Sequence, residues 1–378
     1  MAALDAETST VLEGLHRLAV SLKELESRAS AKLGHYQDIP NDIQQSYEYM
    51  QQGASLVHAT STKYTLVGKL SPKDAAKVAQ DLLKGCQLIA TGALVISNDA
   101  YGCARSTRHY TNQAARSIIM SVIQLVQALN DPSDHKILEK DNNLAAQKCG
   151  AVWQTCDNMT QKEFPRGNRN ATRRELLTWM TECKETMHEF QEMIDRGQAT
   201  GNNNDDNDPQ QDDEENMPTF EEFLCQMAGG DGDDEHYTAK ELELAKPAVA
   251  LIKCSRGSMN VVLKACESAS KHLGGLDSPP ETTNSVFCFL QKAHDLARVV
   301  AEGMTDLGAL LYPTISEQDV ARQGAKQTQS ITTLLDYVLD SATQMELNEE
   351  TVEMAFKIRS NVDKRHKELQ AAIELPVR

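Results

Sequence analysis

Apolar residues recur at intervals of three and four along most of this 378-residue chain. The period is clearest in two runs: Val11, Leu15, Leu18, Leu22 and Leu25, and Ile118, Val122, Leu125 and Leu129. Such spacing gives each α-helix one apolar stripe, and the stripe is buried from solvent when it packs against another helix. The best strand candidate, KYTLVGKL at 63–70, is isolated, so we expect no sheet. The sequence therefore predicts an all-α fold of packed antiparallel helical bundles.

Local signals predict where individual helices begin and end. Starts are indicated by Ser71-Pro72-Lys73-Asp74 and by three segments with the form of a capping box: Thr172-x-x-Glu175, Thr238-x-x-Glu241 and Ser316-x-x-Asp319. Stops are indicated at four places: Asn130-Asp131-Pro132, Gly197, Gly274-Gly275 and Tyr312-Pro313. Because a proline interrupts helix hydrogen bonding, we expect a kink or a short leading helix at Pro247.

Negative charge is concentrated in one segment. The net charge is -17, and the 40 residues from Gly197 to His236 carry 13 Asp and Glu with no Lys or Arg. Such a composition cannot bury enough apolar surface to offset the entropy of ordering, so a disordered linker is expected. The predicted domains are a helical bundle at 1–196, an acidic flexible linker at 197–237 and a second helical bundle at 238–378. The remainder of the chain has no basic surplus for direct nucleic-acid binding.

A short apolar stripe interrupts this acidic segment. Phe220, Phe223, Leu224 and Met227 are spaced 0, 3, 4 and 7, which predicts a two-turn amphipathic helix near 219–227. So short a helix is unstable alone in water and forms only when its stripe lies in an apolar groove. The groove belongs either to this protein's own bundles or to a partner; a third reading gives the stripe no docking role.

No sequence pattern predicts chemistry. Nucleotide-binding glycine loops, HExxH, GxSxG and CxxC pairs are all absent from the sequence, so we expect no enzyme activity, no metal and no cofactor. Cys149 and Cys156 are seven apart, as expected for one buried helix face. The clusters Arg173-Arg174 and Lys364-Arg365-His366-Lys367 are too short for a DNA-binding basic helix. Ser278-Pro279, in a predicted exposed loop, is a candidate phosphorylation site.

The amino-terminal and apolar segments bear on location. MAALDAETST lacks the basic start and apolar core of a signal peptide, and no run of about 18 uncharged apolar residues occurs in the sequence. We therefore expect a soluble intracellular protein with reduced thiols and no membrane partner.

Several segments, taken in order, resemble the cyclin-D-binding protein family, also called GCIP. They are AVWQTCDNM at 151–159, Phe164-Pro165-Arg166, the helix from Arg173, ELELAKPAVALIKCSRGSMNVVLKAC at 241–266, and DLGALLYP at 306–313. Seven residues match the family pattern and are expected to serve packing and helix termination: Trp153, Cys156, Met159, Pro165, Arg166, Tyr312 and Pro313.

The resemblance implies a non-enzymatic interaction protein of cytoplasm and nucleus. Such a protein binds D-type cyclins and transcription regulators, and it negatively regulates cell-cycle progression and transcription. The alternative function is a structural helical-bundle scaffold of the vinculin and talin kind, which links cytoskeletal components.

Overall fold

The computed structural model describes residues 6–28, 40–68, 72–98, 103–130, 143–201, 237–269 and 280–374. Within these ranges the chain forms ten α-helices and no strand, so the prediction of an all-α fold is confirmed. The helices are α1 (Ala6–Arg28), α2 (Pro40–Gly68), α3 (Pro72–Ile96), α4 (Arg105–Asn130), α5 (Asn143–Thr160), α6 (Gly167–Gly201), α7 (Ala239–Ala269), α8 (Pro280–Ala309), α9 (Glu317–Asp340) and α10 (Glu349–Glu374).

The described residues form two compact units. Unit 1 comprises those of Met1–Glu175 and Ser270–Gln291, and unit 2 comprises those of Leu176–Ala269 and Lys292–Arg378. The boundary between the units falls inside α6 and again inside α8. The sequence instead predicts that the first bundle ends at residue 196. The linker of that scheme lies almost wholly outside the described residues, so its domain limits stay a prediction.

Unit 1 is built on α1 to α5. Helix α2 packs against α3 and α5, and α4 packs against α1, α3 and α5. The apolar stripes predicted from the three-four spacing supply its core; fully or almost fully buried members include Leu15, Leu22, Met50, Ile89, Ile118 and Val122. Burial of these stripes is the dominant favourable term in folding of the unit.

The first turn of α6 is fixed by hydrogen bonds within unit 1. Gly167 begins the helix at φ 77, a left-handed conformation that glycine adopts without strain, and its N–H donates to Tyr47 Oη at 3.1 Å. Asn168 Oδ1 accepts hydrogen bonds from Ala104 N at 2.7 Å and Thr107 Oγ1 at 2.9 Å. These contacts start α6 five residues before Thr172.

Unit 2 contains most of α6 and α8 together with α7, α9 and α10. Helix α7 packs against α9 and α10, which also pack against each other. The fully buried Gln327 joins three of these helices, because its Nε2 donates to Ser255 Oγ at 2.7 Å and Val300 O at 2.8 Å. Helix α7 continues through Pro247, so the predicted short leading helix is not found.

Two of the predicted capping motifs form as expected. Thr238 N donates to Glu241 Oε2 at 2.8 Å, and Glu241 N donates to Thr238 Oγ1 at 3.3 Å, which together make the capping box of α7. Glu241 Oε1 also accepts from Ile315 N at 2.8 Å. At the start of α9, Asp319 N donates to Ser316 Oγ at 3.4 Å. The starts of α7 and α9 are therefore specified by local sequence.

Other local predictions are wrong. Thr172 is not a cap: it is buried inside α6, where its Oγ1 lies 3.1 Å from Ser106 Oγ. Gly197 does not end α6, which continues to Gly201, because Gly197 packs against Leu242 of α7. In both cases packing between helices outweighs the local preference. The segment 63–70, from which no sheet was expected, lies within α2 as far as Gly68, in agreement with that expectation.

Candidate interaction surfaces

The described residues contain no candidate metal site. Within the seven described ranges no group of three or more His, Cys, Asp and Glu could hold a metal ion. Cys149 and Cys156 are both buried free thiols, as their spacing predicts. Burial raises the pKa of Cys156 to about 12, so this thiol stays protonated and is a poor nucleophile at neutral pH. The candidate sites are therefore exposed surfaces.

The closest helix pair in unit 1 is α2 against α3. A Cβ placed on Gly53 would lie 2.7 Å from Gly85 O and 2.7 Å from Ile89 Cγ1. Further along the same seam, a Cβ on Gly92 would lie 2.5 Å from Ser46 O. Only glycine permits this approach of the two backbones. The α2–α3 pair is therefore a rigid platform whose geometry depends on the glycines at its seam.

Three large apolar side chains flank this seam and remain exposed. Tyr49 and Leu56 of α2 and Leu88 of α3 are each 36–37% exposed. Each of the three comes one position before a residue that contacts the opposite helix. Successive side chains of an α-helix point in directions about 100° apart, so the three do not point at the opposite helix. The residues one position after the seam residues Gly53, Gly85, Ile89 and Gly92 are buried in the core, so the opposite side of the helix pair, which carries these three, lies toward solvent. We call Tyr49, Leu56 and Leu88 the seam patch.

A second exposed aromatic lies where α5 packs on α2. Trp153 stacks on His58 with ring centroids 5.6 Å apart and an interplanar angle of 22°. His58 Nε2 lies 3.8 Å from Asp157 Oδ1, so an acidic neighbour is available when the ring is protonated. Trp153 is 37% exposed and is thus neither a buried core residue nor a free surface one.

The other residues that match the family pattern are dispersed. Cys156 and Met159 are buried in the core of unit 1, Pro165 is buried in the turn before α6, and Arg166 is partly exposed. In unit 2, Tyr312 Oη donates to Glu189 Oε1 at 2.6 Å, and its ring lies edge-on to Phe190 with centroids 5.1 Å apart. Pro313 follows in the turn between α8 and α9. Their expected roles in packing and helix termination stay predictions.

A groove of about 720 Å³ lies on unit 2 between α6, α7 and α10. We call it the basic groove. Its apolar lining comes from Met187, Val249, Ala250, Cys254 and Ile358, and its basic side chains are Lys184, Lys246, Lys253 and Arg365. Helices α7 and α10 approach closely beside it, since a Cβ on Gly257 would lie 2.8 Å from Ile358 Cδ1.

Some residues predicted from sequence cannot be placed, and some exposed ones were missed. The stripe Phe220, Phe223, Leu224 and Met227, and the candidate phosphorylation site Ser278, lie outside the described residues. Sequence reasoning overlooked the seam patch and the basic groove. Glycines within the apolar helices α2 and α3 were a signal for the first, because glycine inside a helix usually has a packing reason. None of the described helices is long and apolar enough to cross a bilayer.

Comparison with known proteins identifies part of the chain. Residues 49–196 match the family model described as Grap2 and cyclin-D-interacting, N-terminal. Comparison with curated proteins gives no match. The matched range runs from α2 through most of α6 and includes the seam patch, Trp153 and the α6 wall of the basic groove. The resemblance drawn from the sequence is thereby confirmed for residues 49–196, which are similar to the Grap2 and cyclin-D-interacting N-terminal domain.

Proposed function

We propose that this protein is a non-enzymatic interaction protein that binds D-type cyclins. The observation that carries the proposal is the match of residues 49–196 to a cyclin-D-interacting domain. Transcription regulators are further proposed partners, and restraint of cell-cycle progression and transcription in cytoplasm and nucleus is the proposed outcome. A helical platform suits this role, because it presents side chains for binding without needing a catalytic constellation.

The seam patch is the surface we propose for the cyclin. Most of the exposed large apolar side chains among the described residues lie within 49–196. Exposed aromatic and aliphatic side chains on a rigid support are typical anchors of protein interfaces, and a few such anchors supply most of the binding energy. Tyr49 and Leu56, two turns apart on α2, supply two anchors along one helix face, and Leu88 extends the surface onto α3.

A titration of the purified full chain against a purified D-type cyclin tests the proposal. Wild type should bind saturably at one to one. Truncation of an anchor costs about 1–2 kcal/mol, so Y49A/L56A, which truncates two anchors, should bind about 30–1,000-fold more weakly. The matched control is F356A, which removes a 58% exposed aromatic outside the matched domain and should leave affinity within about twofold.

The outcomes separate the function from the surface. Absence of binding by wild type at about 100 μM contradicts the proposed cyclin partner. Equal binding by wild type and Y49A/L56A, with equal helical circular dichroism, contradicts the seam patch alone. Co-sedimentation of the chain with cytoskeletal filaments, without cyclin binding, favours the alternative of a vinculin- or talin-like scaffold.

A further inference from the structure

The basic groove combines an apolar lining with cations that have no described partner. Lys184 of α6 and Lys253 of α7 are exposed, and within the described ranges no carboxylate lies within 4.0 Å of either side-chain nitrogen. Two unopposed lysines on an apolar groove are unusual in a chain of net charge -17. Such a groove favours an occupant that brings apolar side chains together with negative charge.

The two other basic side chains of the groove are paired with carboxylates, and the groove also carries two carboxylates of its own, Glu192 and Asp195. Lys246 Nζ lies 3.0 Å from a Glu243 oxygen, and an Arg365 nitrogen lies 2.7 Å from a Glu368 oxygen. At the α6 side, Glu192 lies 3.3 Å from His188 Nδ1. Asp195 Oδ1, also lining the groove, accepts from Gln191 Nε2 at 2.9 Å. Lys184 and Lys253 are therefore the cations available to an incoming carboxylate.

The acidic segment is attached at both ends beside this groove. Residues 202–236 connect α6 to α7, and these same two helices form two walls of the groove. The segment holds 13 Asp and Glu, no Lys or Arg, and the apolar stripe at Phe220, Phe223, Leu224 and Met227. Charge and hydrophobicity of the segment are thus both complementary to the groove.

We infer that the stripe of residues 219–227 docks in the basic groove of its own chain. Nine residues of α-helix are about 13 Å long at 1.5 Å per residue. The stretch of α7 from Lys246 to Cys254, which lines the groove, also has nine residues and is therefore equally long. Phe220, Phe223, Leu224 and Met227 cover the apolar lining, and Glu221 and Glu222 lie near Lys184 and Lys253.

The connecting residues are long enough for this docking. Cys254 lies about 24 Å along α7 from its first turn, and Lys184 about 25 Å along α6 from Gly201. Residues 228–236 reach about 30 Å when extended, and residues 202–218 reach about 57 Å. The shorter connection therefore spans the distance to the far end of the groove without requiring any change in α7.

Tethering makes a weak contact effective. A two-turn helix is unstable alone, so a free peptide of this sequence must lose conformational entropy on binding. A connection of this length gives an effective concentration of about 1 mM. For a free-peptide Kd of about 100 μM, the tethered stripe occupies the groove in about nine molecules of ten and weakens a competing peptide about tenfold.

The test uses the full chain and a fluorescein-labelled synthetic peptide of residues 216–230 under reducing conditions. F220D/F223D should free the groove and bind the peptide about tenfold more tightly than wild type. Adding K184E/K253E to that variant should weaken peptide binding at least tenfold. The matched control K63E/K326E reverses two exposed lysines that do not line the groove, and it should not weaken peptide binding.

Amide hydrogen exchange supplies a second measurement that needs no peptide. Exchange over residues 246–254 should be faster in F220D/F223D than in wild type, because the occupant no longer covers α7. Neither measurement involves a cyclin, so failure here is distinct from failure of the proposed function.

Three results would overturn the inference. The first is equal peptide affinity for wild type and F220D/F223D together with unchanged exchange. The second is a mass that rises with concentration for wild type but not for F220D/F223D, which assigns the stripe to a second copy. The third is failure of the peptide to bind either wild type or F220D/F223D, which leaves the groove to an occupant other than the stripe.

Discussion

Replacement of Gly53 by alanine should destabilise unit 1, although alanine is the better helix former. In an open helix position Gly→Ala stabilises by about 1 kcal/mol. At Gly53 the new Cβ would lie 2.7 Å from Gly85 O, a backbone atom of the opposite helix, and 2.7 Å from Ile89 Cγ1. Ordinary contact begins near 3.4 Å, so α2 and α3 must separate by about 0.7 Å or more.

The cost of that separation exceeds the gain in helix propensity. Overpacking a well-packed core costs about 1–3 kcal/mol, and a clash with backbone belongs at the upper end because no rotamer change relieves it. Subtracting the propensity gain of about 1 kcal/mol leaves a net loss of about 2 kcal/mol.

Gly150 of α5 is the matched control. No atom lies within 4 Å of the Cβ that alanine would add there, so G150A should raise the free energy of unfolding by about 1 kcal/mol. The same chemical change should thus have opposite signs at two glycines of one unit, with the two variants about 3 kcal/mol apart.

Urea unfolding followed by tryptophan fluorescence measures both variants. In a W179F background Trp153 is the one tryptophan of the chain, and it reports on α5 where it packs against α2. The midpoint should fall for G53A and rise for G150A at unchanged slope. A G53A chain as stable as its parent, or more stable, would refute the close approach of α2 and α3.

Three further predictions rest on single residues. Burial opposes ionisation of Glu241, but the hydrogen bonds it accepts from Ile315 and Thr238 outweigh burial and lower its pKa. E241Q should therefore be less stable than wild type above about pH 5, and urea titrations should show the difference shrinking as the pH falls below about 4. Because burial raises the pKa of Cys156 to about 12, iodoacetamide at pH 8 should modify the exposed Cys288 before Cys156; mass mapping that finds the reverse order contradicts this. A cyclin-dependent kinase should phosphorylate Ser278, and an unmodified Ser278 after complete reaction elsewhere counts against that site.

The sequence was sufficient for the helical fold because each helix carries its own apolar period. The sequence also predicted the helix starts correctly where capping is local. At Thr238 and Ser316 the side chain accepts a hydrogen bond from the residue three positions later. The predicted helix starts were wrong where residues distant in sequence determine the start. Thr172 resembles a cap in sequence, yet it pairs with Ser106, and α6 starts where Tyr47 accepts the Gly167 N–H.

The candidate surfaces were less predictable, because each is assembled from separate helices. The seam patch depends on glycines of α2 and α3 that allow the two backbones to approach closely. The spacing of residues within one helix does not predict which glycines of the two helices face each other. The basic groove needs α6, α7 and α10 together. The occupant that we propose for it was visible in the sequence as an acidic segment with an apolar stripe, but the groove itself was not.

Hydrogen exchange of the full chain, free and in complex with a D-type cyclin, tests the proposed function most directly. The cyclin should slow amide exchange in α2 and α3 around Tyr49, Leu56 and Leu88, because burial of the seam patch restricts opening of the helices beneath it. Helix α9, which lies outside the matched domain, should exchange at the same rate in both states. No complex, or protection confined to helices beyond residue 196, would contradict binding of the cyclin through residues 49–196.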